Sequence, residues 1–315
     1  MGRARGANAK LAGAFETTYG VPPGTGYRGF PFVSSNLGAE EPLEESDLLG
    51  NGRETYDPTK GPVTNDGDVV VPVDIRYFGH WLKLLLGAPA STGGSGNPYV
   101  HVYTSGKVAL PSMAIETQFP DRPSYATSYG VKANTLQIQM QRSGQLSATI
   151  GLIAKGETDP VAASTAGVLA AVMAMDRFAQ ARGQIKRQGV KIGSIVSATI
   201  GFTNNLDKID TIQPDGEIED ADGGTARGTG SLTARYDNDT LRLDASNGEP
   251  VELSFEWALG EGYSLVLSFG RVFLPKVKHP ITGPGGVQAT YNWQASGQDG
   301  PALVATLTND VEDYA

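Results

Sequence analysis

The side chains most able to do chemistry are scattered along this chain. Histidine occurs at positions 80, 101 and 279 only, and no two share the four-residue spacing that puts a pair of imidazoles on one helix face. His80 falls in a helical stretch, His101 in a strand and His279 before Pro280, so structural roles are expected. Glu217 and Glu219 are spaced like the paired carboxylates of a glycosidase. They sit in a long acidic loop, a poor platform for groups that must be held to a fraction of an ångström. "GTGYRG" (Gly24 to Gly29) has the spacing of a dinucleotide-binding turn, but it follows "VPP" instead of a strand and opens no helix. "DADGG" (Asp220 to Gly224) is spaced like part of a calcium loop without the acid that closes one, leaving a weak surface cation site as its other reading. There is no G-x-S-x-G elbow and no H-E-x-x-H. With no cysteine, thiolate metal sites, cysteine nucleophiles and disulfides are excluded. The expectation is no catalytic, metal or cofactor site, with Tyr77, Phe78, Trp81, Trp257 and Trp293 in the core.

The elements that would hold these residues are mostly strands. At 315 residues and 39% hydrophobic, the chain can bury real cores in about two domains. Gly 41 and Pro 19 sum to 60, which fits short strands and many turns. Residues 1–68 read as an extended arm, with "GAEEPLEESDLLGNG" (Gly38 to Gly52) its most loop-like part. Val69 to Val73 is a strand. Asp74 then caps a helix that places Phe78, Trp81, Leu82 and Leu85 on one face and ends at Gly87. Ala90 to Pro98 reads as a flexible connector. "NTLQIQMQRSGQLSATIGLIAKG" (Asn134 to Gly156) is a hairpin with Leu136, Ile138 and Met140 inward and Gln137, Gln139 and Gln141 outward. Phe178 to Phe202 is a second hairpin, turning near Gln188–Gly189. Asn238 to Gly248 is a short helix stopped by Gly248, and three strands follow it. Val161 to Phe178 is helix or linker.

Two features concern the chain as a whole. "LPSM" and "IGSI" start at Leu110 and Ile192, and "SATI" and "TGSL" start at Ser147 and Thr229; both offsets are 82. One offset seen twice predicts a duplicated unit. Charge is uneven as well. Residues 158–315 hold 20 of the 34 acids and 12 of the 25 bases, a net of −8 of the total −9. Seven acids lie in the loop Leu206 to Gly228. Such a surface repels nucleic acid or simply aids solubility. The N-terminus has no apolar run of a secretory signal, and no stretch approaches the ~20 apolar residues of a membrane span.

"SIVSATIGFTNNLDKIDTI", "GTGSLTARYDNDTLRLDASNGEPVELSFEW" and "SLVLSFGRVFLPKVKHPITGPGGVQATYNWQA" together resemble the major tail tube protein of long-tailed, siphophage-type bacteriophages. "LPSMAIETQF" and "ANTLQIQM" resemble the first half of the same family, and the likeness spans residues 45–310. It implies an all-β fold with one or two short flanking helices. Combined with the 82-residue offset, it predicts two tandem tail-tube-type β-sandwich units, long loops and an extended N-terminal arm. The expected boundaries are 1–68 for the arm, 69–157 for the first unit, 158–177 for a linker or short helix, and 178–315 for the second unit. The implied function is a structural virion protein stacked as rings into a tube that passes DNA.

The implied partners are further copies of the chain, other phage tail proteins at the tube ends, and DNA in transit without specific binding. No membrane insertion is implied, and assembly belongs to the host cytoplasm. Two units per chain predict a trimeric ring; units merged into one sandwich would need six chains. Inter-ring contacts are expected at Asp207, Asp210, Asp215, Glu217, Glu219, Asp220 and Asp222, in a loop ordered only between subunits. Asp121, Arg122, Tyr125 and Tyr129 are their first-unit equivalents. The acid excess is expected on the channel wall. The alternative is a secreted or surface adhesive β-protein binding carbohydrate, which would carry an export signal.

Overall fold

The computed structural model describes residues 3–94 and 97–314. Its longer elements are β1 (Lys10–Phe15), β2 (Arg28–Phe30), β3 (Thr64–Pro72), α1 (Phe78–Leu86), β4 (Ala90–Gly94), β5 (Asn97–Thr104), β6 (Met113–Phe119), β7 (Ser124–Met140), β8 (Ser147–Ala154), β9 (Gly183–Arg187), β10 (Ile195–Thr203), β11 (Arg227–Arg235), α2 (Thr240–Asn247), β12 (Val251–Ala258), β13 (Ser264–Phe273), β14 (Gln288–Ala295) and β15 (Val304–Asn309). The fold is all-β with two short helices, as expected from the alternating text.

The front sheet runs β3–β8–β7–β10–β11–β14, every neighbour antiparallel. The back sheet runs β9–β12–β13–β15–β5–β4. A side sheet, β2–β1–β6, pairs with the first half of β7. The 17-residue β7 therefore belongs to two sheets. It changes sheet at Gly130, whose φ of +62° is left-handed and whose missing Cβ would stand 2.7 Å from Lys155 and 3.0 Å from Tyr19. The β6–β7 register shifts beside it, between Met113 and Ile115. A bulge of this kind is how one strand turns a corner between sheets.

Front and back sheets face each other across one core. Leu136, Ile138, Ile150, Ile200, Leu232 and Trp293 come from the front; Phe255, Trp257, Leu265, Leu267, Phe269 and Leu307 come from the back. The rings of Phe269 and Trp293 stand 4.8 Å apart, with Phe255 5.9 Å from Trp293. Helix α1 is mostly apolar, with only His80 and Lys83 polar, and is largely buried, packing on β5 and β7. The buried Asp74 carboxylate accepts the N–H groups of Arg76, Tyr77 and Phe78 at 2.9–3.1 Å, so it caps the turn that enters the helix. Gly87, at φ +84°, ends it. Gly248 ends α2 at φ +72°.

Several expectations are corrected. The stretches 99–157 and 178–237 do not repeat one strand order. The first continues from β5 into a meander, β6–β7–β8. In the second, β9 pairs with Val190–Lys191 in the back sheet, and β10 and β11 are joined by residues 204–226 in the front sheet. The matched text Ser147–Ile150 and Thr229–Leu232 lies in β8 and β11, which flank the directly paired β7 and β10. Leu110 and Ile192 precede strands that differ in their sheets.

One buried cluster runs from Leu11 to Tyr314. Within residues 1–68, Leu11, Phe30 and Leu37 are buried in it. The connector at 90–98 is strand on both sides, β4 pairing with β5, and its turn residues 95–96 lie outside the described residues.

Residues 158–177 form neither helix nor free linker. They make an extended strap across the side sheet. Val161 pairs with Tyr125, the Ala170 N–H donates to Tyr27 O at 2.8 Å, and the Met173 N–H donates to the Tyr77 hydroxyl at 2.8 Å. Its anchor is Glu116, fully buried, whose carboxylate accepts hydrogen bonds from the Ser164 hydroxyl and from the Thr165 N–H and hydroxyl at 2.6–2.7 Å. Burial pushes the Glu116 pKa up, but these hydrogen bonds outweigh it and leave the pKa lowered. Backbone partners of this kind override the helix propensity of an Ala-rich segment.

Candidate functional site

The outward face of the front sheet is built by strand alternation alone. Inward residues fill the core, so Gln137 and Gln139 of β7, Thr149 of β8 and Thr199 of β10 point away from it, as do Ser231 of β11 and Asn292 of β14. Register sets them in rows across the strands: Gln139 beside Thr199, Thr199 beside Ser231, and Ser231 beside Asn292. Hydroxyls bridge adjacent strands, Thr199 to Ser231 at 2.8 Å and Thr233 to Thr290 at 3.0 Å. No charged side chain occupies the middle of this face. Asp66 and Asp68 lie on the edge strand β3, and Arg227 and Arg235 at the two ends of β11. This face is therefore uncharged at its centre. The outward face of the back sheet differs. It carries Val100, Val102, Val266 and Val304, and an ion pair of Lys186 with Glu256 at 2.7 Å.

The acids concentrate at one end of the front sheet, where two projections emerge. One is the loop 204–226. It packs on its own chain. Leu206, Ile218 and Ala221 are buried with Ile153 in a satellite cluster. Lys132 donates to Asp220 at 2.6 Å and to the Ala221 carbonyl at 2.9 Å. Lys208 pairs with Asp66 at 2.8 Å, and the Thr211 hydroxyl donates to Glu219 at 3.0 Å. The Tyr129 hydroxyl donates to Glu217 at 2.5 Å, and burial with that carboxylate raises the Tyr129 pKa. Asp215 accepts the Glu217 N–H at 3.1 Å. Asp207 and Asp222 face each other across a two-residue ladder and, like Asp210, are exposed.

The four first-unit candidates form no equivalent loop. Asp121 and Arg122 sit in the tight turn between β6 and β7, where Asp121 accepts from Asn8 at 2.8 Å. Tyr125 and Tyr129 lie within β7 itself. Only Tyr129 is brought to the acidic loop. Lys132 and Glu116 were missed by sequence reasoning. Their one signal is a charge placed within an apolar strand.

The second projection is the arm around the short ladder of Leu43–Glu44 with Thr59–Lys60. It carries Glu44, Glu45, Asp47, Glu54 and Asp57, and it leaves Leu43, Leu48 and Leu49 uncovered, Leu49 at 95% exposure.

The histidines are structural. His80 lies among Phe15, Phe30 and Tyr314, and burial pushes its pKa down to about 3. His101 is held by Ser91 at 2.8 Å and by the Val311 carbonyl at 2.8 Å. His279 meets the Tyr291 hydroxyl at 3.1 Å. Among the described residues no group of three or more His, Asp or Glu side chains converges as metal ligands, and no helix is long and apolar enough to cross a membrane.

The chain is thus an all-β protein with a broad polar sheet face and two acidic projections at one end. A family model described as phage tail tube protein matches residues 6–295, and the chain belongs to that family. It is a structural component of the phage virion. This overturns the reading as a carbohydrate-binding adhesin. Comparison with curated proteins gives no match.

Proposed function

We propose that the chain closes into rings that stack into the tail tube of a long-tailed phage, and that the outward face of the front sheet lines the channel through which DNA passes. The observation that carries this is the uncharged, hydrogen-bonding centre of that face. It presents no cation to hold a phosphate and no apolar patch to shun water. The back sheet's valine-rich face suits contact with protein.

The front sheet's edges favour ring closure. Beyond its last turn toward the back sheet, β14 keeps one side unpaired, and the opposite edge strand β3 is flanked by Ser34–Ser35 and Gly38–Glu40. Joining unlike edges of successive copies is a heterologous contact that closes into a ring and removes a strand edge open to uncontrolled pairing. One merged sandwich per chain favours six copies per ring over the three expected from two units. Other tail proteins would cap the ends.

Electron microscopy of the purified chain over a concentration series tests the reading. Sixfold rings and tubes are expected, and monomers throughout would refute it. Gln137→Lys with Gln139→Lys should leave tubes intact and slow genome ejection, most at low salt. Unchanged ejection from such tubes would move the wall to another face.

A further inference from the structure

At the end of the front sheet remote from the acidic projections, two cavities flank the short strand Val190–Lys191. The first, of ≈160 Å³, lies between that strand, α2 and the β11–β14 edge, and is walled by Ile192, Leu241, Tyr236 and Tyr291. This is room for one aliphatic side chain, since an apolar cavity of about 150 Å³ takes a benzene-sized guest. Its rim is basic. Lys191 and Arg235 border both cavities, and Arg142 borders the second. None of these three makes an ion pair among the described residues. The one carboxylate in the wall away from α2, Asp237, is already engaged by Ser194 at 2.7 Å and Asn238 at 2.9 Å.

The arm carries the complement: uncovered leucines set among unpaired acids. Glu44, Glu45 and Asp47 have no ion-pair partner among the described residues, and Leu48 and Leu49 follow directly. Position completes the match. The arm leaves the front sheet beside Thr64 on the β3 edge, at the end of the strands where Thr203 and Arg227 pair. The pocket lies beside Arg235 and Ala289 on the β14 edge, at the opposite end. Socket and plug are thus at opposite edges and opposite ends of one sheet. An isologous pair cannot satisfy both; a head-to-tail array can, without limit.

We propose that Leu49 of one copy seats in the Tyr236–Tyr291 pocket of a copy in the next ring, with Glu45 and Asp47 against its Lys191 and Arg235. The inference rests on the tube reading and names the contact that joins one ring to the next.

The cysteine-free chain permits a direct test. Leu49→Cys with Val190→Cys, both exposed positions, should give a ladder of disulfide-linked multimers from oxidised tubes, and either single variant at most dimers. Lys191→Glu with Arg235→Glu should raise the concentration needed for tubes at least tenfold while single rings persist. Adding Glu45→Lys and Asp47→Lys should restore growth. Tubes that form normally with no ladder, or with the charge-reversed socket, overturn the docking and leave the ring intact. Wild-type monomers at every concentration overturn both readings. Matching circular dichroism and melting temperature show that the variants fold.

Discussion

The acidic loop 204–226 and the acidic arm 41–63 leave the same end of the same sheet, and their fates differ. Both are rich in acids, and each holds three glycines. The loop places Leu206, Ile218 and Ala221 where Ile153 can cover them, and it meets Lys132, Lys208 and Tyr129 on its own chain. The arm is braced within itself by Lys60 with Glu41, meets the loop where the Val63 N–H donates to Gly216 O at 2.9 Å, and leaves its leucines bare. Composition therefore does not decide whether an acidic segment orders itself. What decides is whether its few apolar residues find a surface on the same chain, because a segment stays disordered only when it cannot bury enough to offset its ordering entropy. The loop even divides within itself, for Ile212 is fully exposed while Ile218 is buried.

Substitutions can break this contrast. Ile218→Asp should cost the most, about 3 kcal/mol, because it forfeits burial and puts a carboxylate in an apolar cluster. Denaturant unfolding would measure it; a loss under 1 kcal/mol would mean the loop is not docked. The strap offers a polar counterpart. Glu116→Ala should cost about 2 kcal/mol, since the Thr165 N–H and two hydroxyls lose their acceptor.

Glu116 also sets a pH dependence. Its pKa is lowered in the folded state, so the folded protein favours the ionised form. That stabilisation is complete above the ordinary glutamate value of about 4.3 and is lost as pH falls through the folded value. Melting temperature in Glu116→Gln should therefore fall less between pH 5 and 3, an interval of about two units around that value, than in the wild type. Equal slopes would place the acid sensitivity elsewhere.

Lys132→Ala should cost about 1 kcal/mol, less than a fully buried pair, because Asp220 can turn to water. The smallest effect on the fold belongs to the arm. Leu49→Asp should change unfolding free energy by no more than about 0.5 kcal/mol, the usual range for a surface site. Tube length by electron microscopy should nevertheless collapse. A large loss of fold stability there would make the arm a second docked loop.

Local chemistry was legible in the residues. The period-2 text of Leu136–Gln141 named its inward face correctly, Asp74 and Gly87 bracketed α1, and Gln188–Gly189, both at positive φ, made the hairpin turn. These signals act within a few residues of themselves. The family resemblance was likewise carried by strand-and-turn text.

Tertiary structure alone decided what lies far apart in sequence. β7 joins β10 into one sheet across more than fifty residues of sequence. Glu116 meets Thr165 across 49 residues, and Arg76 meets Asp310 across 234. The two stretches matched at an offset of 82 lie in β8 and β11 of the same sheet. Alternation specifies that a residue points inward. It does not specify which strand will stand opposite, because edge pairing is chosen by the fit of whole faces and by where a bulge such as that at Gly130 lets a strand change sheets.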